Sequence, residues 1–354
     1  MSKNKTIVSF NDYCRKRILL KKSFSFFRMP HSQEIQGIEA DASLTLKKFD
    51  SNLKGFLFHP FDTKKQAIEF IPGTVQTFLI DDAQNSDELT LSDISSEKPF
   101  FITTKKEYTT QFERYQQSFA KGEIKKTILS RIKFIDANTI DIHSTFLNLL
   151  KNYPEAYIYC YYSISAGLWI GASPEKFILL TGNTLETTAL AGTKSEEESW
   201  GSKEQEEQAI VTQFIEDVLS DLQNVEVSAP ETIKAGNLYH IKANIKAEFS
   251  ETTDIAALIN KLHPTPAVGG FPKEAALRLI SSTEKHDRAY YSGFAGPVNM
   301  NDTTHLFVNL RCAKVFKNGF GLFIGGGLTA ASDVEKEWNE TEKKAGTLMK
   351  VLVP

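Results

Sequence analysis

The sequence predicts an α+β protein. Three observations carry that prediction: strands that follow one another as hairpins, helices set between those runs rather than after every strand, and no GxGxxG turn of the kind that opens a dinucleotide-binding sheet. Residues 1–100 mix short β-type runs, Gly55-Phe56-Leu57-Phe58 and Thr77-Phe78-Leu79-Ile80, with polar stretches. Residues 81–99 are acidic, Ser-rich and without periodicity, which reads as a surface loop or linker. Tyr108, Phe112, Tyr115 and Phe119 recur every third or fourth residue, the buried face of a helix that starts near Lys105 and is capped by Gly122. Residues 126–134 read as a strand with Lys126, Ile128, Ser130 and Ile132 on one face, and residues 157–170 as a β-rich run broken at Gly167. Residues 176–180 and 184–190 form a hairpin around Gly182-Asn183. A helix follows over 203–222, then strands over 236–250 and 292–298, and a hairpin of 306–316 with 319–324 around Asn318-Gly319. The last helix opens on Ser332-Asp333-Val334-Glu335, the Ser-x-x-Glu form of a capping box.

Composition narrows the function classes. The 354 residues carry 41 Lys+Arg against 44 Asp+Glu, a net charge of -3, with 41% apolar residues. That balance excludes a disordered chain and a basic surface for nucleic acid or an anionic membrane, but leaves room for a small anion in a locally basic pocket. Cys14, Cys160 and Cys312 are odd in number and far apart, so they read as free thiols rather than a disulfide framework or zinc site. Residues 1–13 lack the apolar core of a signal peptide and no stretch approaches the length of a membrane span, so the expectation is a soluble cytoplasmic protein.

Several side chains sit where chemistry is possible. In the 203–222 helix, Ile210, Val211, Phe214, Ile215, Val218 and Leu222 define an apolar face, and at helical spacing Glu207 projects near its centre while Glu206 projects away. An inward carboxylate must be paired, protonated or metal-bound, although a first-turn glutamate can also stay solvated at the helix dipole. In the last helix Trp338, Thr341, Ala345, Leu348, Met349 and Leu352 form the core face, with Glu337, Glu340 and Lys344 along its flank. That stripe is open to two readings, a surface Glu340–Lys344 pair or oxygen ligands for a hard cation such as Mg²⁺. Gly325-Gly326-Gly327 follows a strand, either as a tight turn or as backbone that a ligand approaches closely. Arg311 inside an apolar strand wants a carboxylate or phosphate, and Lys126 is either a desolvated lysine or a solvated strand-end one. Three prolines and two glycines in His263-Pro264-Thr265-Pro266-Ala267-Val268-Gly269-Gly270-Phe271-Pro272 describe a rigid, specific loop.

That loop, together with Lys126-Thr127-Ile128-Leu129-Ser130-Arg131, Gly171-Ala172-Ser173-Pro174-Glu175, Leu190-Ala191-Gly192-Thr193, Leu310-Arg311-Cys312-Ala313, Gly325-Gly326-Gly327-Leu328 and Trp338-Asn339-Glu340-Thr341, resembles the chorismate-utilising enzymes, and the isochorismate synthases among them. The resemblance covers residues 105–353. It implies two large, mostly antiparallel sheets packed together with helices outside and an active site in a cleft. It also implies one catalytic domain over 1–354, whose residues 1–100 diverge and whose residues 105–353 bear the motifs. The implied reaction moves a hydroxyl from C4 to C2 of chorismate reversibly, with water as nucleophile. Lys126 matches the base and Glu175 the general acid; Glu207 and Glu340 match Mg²⁺ ligands, with Glu337 beside them. Arg311 and Tyr291 match the positions that hold the enolpyruvyl carboxylate, Gly325, Gly326 and Lys344 complete the anion site, and Gly192, His240, Ala267 and Val268 line the substrate pocket. Lys126 separates this reading from aminating relatives. A salicylate synthase, or a silent chorismate-binding protein, are the alternatives. Isochorismate feeds menaquinone and siderophores alike; the short, single-domain form favours menaquinone, and the chain is expected to be a monomer. One departure stands out: the metal helix, usually Lys-Asp-x-x-Glu-His, reads Lys203-Glu204-Gln205-Glu206-Glu207-Gln208.

Overall fold

A computed structural model describes residues 5–7, 9–80, 88–95, 97, 101–194, 199–235 and 238–354. Two large sheets dominate. The first runs, edge to edge, Lys5–Ile7, Gln76–Ile80, Ile35–Ala40, Ser23–Arg28, Tyr157–Ser163, Gly167–Ser173, Cys312–Phe316, Gly319–Leu328, Lys126–Asp136 and Gly270–Phe271. The second runs Gln223–Val227, Leu238–Glu248, Thr184–Lys194, Lys176–Thr181, Thr303–Val308, Phe294–Val298, Gly55–His59, Ile68–Pro72 and Leu44–Leu46, with Glu231–Ala235 also on Leu238–Glu248. Pairing is antiparallel throughout except between Lys5–Ile7 and Gln76–Ile80. The α+β expectation is met, with strands of residues 1–100 built into both sheets.

The sheets pack through an aromatic layer. Phe58 of the second sheet stacks 4.3 Å from Tyr161 of the first and 4.3 Å from Tyr290, and Tyr157 lies 4.2 Å from Phe307 across the same seam. Such contacts add about 0.5–1.5 kcal/mol per pair to the burial of the rings. Helices cover the outer faces: Phe10–Leu19, Ile142–Asn152 and Val334–Met349 on the first sheet, Ser202–Leu219 and Ile255–Leu262 on the second. Lys105–Ala120 and Lys273–Thr283 close one end over Leu129.

Much of the expected pattern is present. Lys105–Ala120 buries Tyr108, Phe112, Tyr115 and Phe119, and Gly122 follows at φ 71°, the left-handed conformation a helix stop favours. Thr181 pairs with Thr184 across Gly182-Asn183. Cys14, Cys160 and Cys312 are buried free thiols. Among the described residues no helix is long and apolar enough to cross a membrane.

The differences have local causes. The linker reading of 81–99 fails where the chain is described: Leu89–Thr90 pairs with Thr139–Ile140, Leu91–Ile94 is a short helix, and Leu89, Leu91 and Ile94 are buried. Positions 81–87, 96 and 98–99 of that stretch, and positions 236–237 of the strand expected from 236, lie outside the described residues. The 157–170 run is two strands, Tyr157–Ser163 and Gly167–Ser173, so the break expected at Gly167 is a hairpin turn and Gly167 opens the second strand. Residues 306–316 are not one hairpin arm, because Thr303–Val308 belongs to the second sheet and Cys312–Phe316 to the first. Phe316 pairs with Gly319, which places the turn at Lys317-Asn318. The last helix is capped by Asp333, whose side chain accepts from the Lys336 amide, one residue after the expected Ser332; Met349 is exposed rather than core. Helices Phe10–Leu19, Ile142–Asn152, Ile255–Leu262 and Lys273–Thr283 are absent from the sequence expectation, because apolar runs of only 8 to 11 residues are hard to tell from strands by pattern.

Candidate active site

The topology makes the site. The chain crosses from the first sheet to the second between Gly167–Ser173 and Lys176–Thr181, and back again between Thr303–Val308 and Cys312–Phe316. The two crossings lie side by side: the Val308 amide donates to the Glu175 carbonyl (3.0 Å) and the Ala172 amide to the Arg311 carbonyl (3.1 Å). Glu175 sits on the first crossing and Arg311 on the second, where φ of 47° turns the chain between layers. Arg311 is therefore at a bend, not within a strand. A cleft opens there, lined also by Lys126, Glu207, His240, Tyr291, Lys344 and the segments 190–193 and 267–268.

Lys126 begins the strand Lys126–Asp136 and is 1% exposed, and Glu175 is 5% exposed. Burial lowers the lysine, against the opposing pull of Glu207 and Glu175. Burial pushes the Glu175 carboxyl up to about 8, with Lys126 pulling the other way. Both environments favour the neutral forms, a lysine free to accept a proton and a carboxylic acid able to give one. The Lys126 Nζ lies 3.7 Å from Glu207 Oε2.

Three carboxylates gather at the far end of the strand Gly319–Leu328. Glu207 comes inward from the helix Ser202–Leu219, while Glu206 is exposed, as helical spacing requires. Glu337 and Glu340 come from the helix Val334–Met349. A Cβ on Gly326 would stand 3.4 Å from Glu337 Oε2 and 3.9 Å from Glu340 Oε1, and one on Gly327 would stand 3.0 Å from Glu207 Oε2. Burial raises Glu207 and Glu337, and neighbouring carboxylates raise both further against the lysines. Glu337 Oε2 is buried without a hydrogen-bond partner. A buried, unsatisfied oxygen among mutually repelling carboxylates wants a cation. Among the described residues no three His, Cys, Asp or Glu side chains converge closely enough to hold a metal by themselves. A hard cation that keeps waters and shares its shell with a ligand needs no such cage.

A family model for chorismate binding enzymes matches residues 6–353. The chain belongs to that family. It is 28% identical over 311 residues, 82% of its length and 79% of the relative's, to isochorismate synthase EntC of Escherichia coli strain K12. In fold it resembles MenF, the menaquinone-specific isochorismate synthase from Escherichia coli, with TM-score 0.78 and 19% identity over 93% of this chain and 88% of that one. It also resembles anthranilate synthase component I from Streptococcus pneumoniae, with TM-score 0.69 and 16% identity over 93% and 92%. The fold thus serves more than one reaction, and the site residues must carry the distinction.

In this chorismate-binding enzyme the cleft gathers most of the residues singled out in the sequence. His240 meets the Gly192 carbonyl through Nδ1 (2.8 Å) and Arg311 through Nε2 (3.3 Å). A carbonyl can only accept and a guanidinium only donate, so Nδ1 carries the hydrogen and Nε2 accepts. Burial and then Arg311 hold His240 down at about 3, which keeps it neutral. The neutral ring thus accepts a hydrogen bond from the Arg311 guanidinium. Tyr291 stacks on Phe323 and points its hydroxyl to within 2.8 Å of where a Gly325 Cβ would be. Ala267, Val268 and Gly192 line the cleft as expected.

The three glycines are strand, not turn. Gly325, Gly326 and Gly327 pair with Ser130, Leu129 and Ile128. The Ile128 amide donates to Gly269 and the Ser130 amide to Glu284, so those two residues turn their backbone away from the glycines. Gly326 then exchanges the ladder bonds with Leu129, and the backbone of Gly325 and Gly327 faces the open side, where Lys344 donates to the Gly325 carbonyl (3.0 Å). Gly326 is outside the cleft lining and Gly327 is in it. Glu337 and Glu340 are outside that lining too, beyond the Gly326 backbone.

The sequence reading missed a buried pair that holds the site together. Arg288 donates to Glu284 at 2.8 and 2.6 Å, to the Val268 carbonyl (2.9 Å) and to the Ile128 carbonyl (2.9 Å). Glu284 in turn accepts from the Ser130 amide (2.7 Å). One guanidinium thereby ties the Lys126 strand to the 263–272 loop. An i,i+4 acid–base pair at a helix end reads as an ordinary surface bridge in sequence; only burial of both side chains to 2% exposure sets it apart. Arg288→Ala is expected to cost roughly 3–5 kcal/mol of stability, because it leaves a buried carboxylate unpaired, and denaturant unfolding checks it.

Proposed function

We propose that this protein is an Mg²⁺-dependent isochorismate synthase, a hydroxymutase acting on chorismate as one catalytic domain. The observation that carries the reading is the pairing of Lys126 with Glu175: a buried lysine and a buried carboxyl, both pushed toward their neutral forms, in the lining of one cleft. Exchange of a hydroxyl from C4 to C2 needs a base for the incoming water and an acid for the departing hydroxyl. Lys126 Nζ takes the water proton, and the Glu175 carboxyl delivers its proton to the C4 oxygen as that bond breaks. Arg311, oriented by His240, receives the enolpyruvyl carboxylate beside Tyr291. Glu207, Glu337 and Glu340 would hold Mg²⁺, which neutralises the ring carboxylate when bound. The lysine favours water over ammonia as nucleophile, and the similarity to EntC over four-fifths of the chain supports the same activity.

Incubating the purified chain with chorismate, with and without Mg²⁺, and separating the products by chromatography tests this. Isochorismate that disappears on chelation supports the reading. Salicylate with pyruvate would move the protein to a lyase, and retained binding without turnover to a silent binder. A cytoplasmic monomer supplying menaquinone is the biological setting we propose, and a knockout assayed for menaquinone and for growth under iron limitation separates that role from siderophore supply.

A further inference from the structure

Lys203 stands in the first turn of the helix Ser202–Leu219, where the helix dipole disfavours a cation. Its position is dictated by carboxylates instead. The Nζ lies 2.8 Å from Glu337 Oε1 and 3.8 Å from Glu207 Oε1, spanning two helices, while Ser332 donates to the same Glu337 oxygen (2.8 Å). The other two lysines nearby differ from it. Lys126, with its side chain 2% exposed, reaches Glu207 from within the cleft, and Lys344 is held between Glu340 (2.7 Å) and the Gly325 carbonyl. Lys203 does not line the cleft, and its side chain is 30% exposed, so its ammonium has water within reach if it lets go.

We infer that Lys203 is a resident counter-ion of the Glu207–Glu337–Glu340 cluster, docked when the cluster is empty and displaced when a divalent cation binds. The inference rests on reading those glutamates as metal ligands. A docked ammonium neutralises carboxylates that would otherwise repel one another in a buried setting, and so preserves the site in the metal-free chain. It also competes: the apparent affinity for the metal falls by the fraction of molecules whose site is already occupied.

Titrating Mg²⁺ into the full chain by calorimetry, for the wild type, Lys203→Met and Lys203→Arg, tests this without reference to turnover. Lys203→Met is expected to bind Mg²⁺ about tenfold more tightly, with a lower thermal midpoint in chelator and a larger Mg²⁺-induced rise. Lys203→Arg, which keeps the charge, is expected to stay near wild type. Wild-type binding with Lys203→Met equal or weaker overturns the displacement and leaves the metal reading standing. Absence of Mg²⁺ binding in all three overturns the metal reading itself. Circular dichroism confirms that the variants are folded, and Lys203→Gln replaces Lys203→Met if the latter is not.

Discussion

Lys126→Ala is expected to lower turnover of chorismate by at least about 10²–10⁴-fold, at every pH, because it removes the base proposed for the attacking water. The side chain is 1% exposed, so solvent cannot substitute for it freely. Truncation also leaves Glu207 without its neighbour at 3.7 Å, and Lys126→Met is the control that keeps the volume. Retained fold with lost turnover in both variants assigns the proton transfer to the amine. Substantial activity in either would sink the mechanism.

Glu175→Gln carries the second large effect, a turnover loss of about the same size, with a gain in stability at high pH. In the wild type the acid works while protonated, so turnover should fall as pH rises through about 8. The same burial makes a stability statement. The folded chain holds a proton at Glu175 that the unfolded chain releases near the ordinary value of 4.5, so stability is undiminished below about 4.5 and declines as pH climbs toward 8. Glutamine keeps the shape without the ionisation. The variant should therefore be inactive yet more stable than wild type at pH 8, by a few kcal/mol at roughly 1.4 per pH unit, and equal to it near pH 4.5. Thermal unfolding across that range reads the difference, and a variant less stable at pH 8 would contradict the assignment.

Sequence motifs singled out both residues, and the structure brings them into one cleft. Lys126 opens a strand of apolar residues and Glu175 closes a Gly-Ala-Ser-Pro-Glu turn, each legible as a motif. Helical spacing pointed Glu207 inward but left open a solvated place at the helix dipole, which its burial closes. What sequence could not show was the two sheet crossings that bring Glu175 and Arg311 together, because register between segments more than a hundred residues apart is set by packing. Strand pairing also decided the glycines: which of Gly325, Gly326 and Gly327 offers its backbone depends on whether the partner residue spends its amide on Gly269, on Glu284 or on the ladder. The contacts of Arg288 with Glu284 and of Lys203 with Glu337 were hidden for a similar reason. Arg288 and Lys203 are ordinary charged residues on helix-like stretches until the carboxylates they meet, across an element boundary in one case and across the molecule in the other, are in place.

In the mechanism proposed for this cleft, water activated by Lys126 becomes the C2 hydroxyl of the product. Running the Mg²⁺-loaded wild-type enzyme with chorismate in ¹⁸O-labelled water and weighing the product tests that most directly. One labelled oxygen in isochorismate is the predicted result. Isochorismate formed with no label would mean that the hydroxyl migrates within the substrate, and would contradict the account.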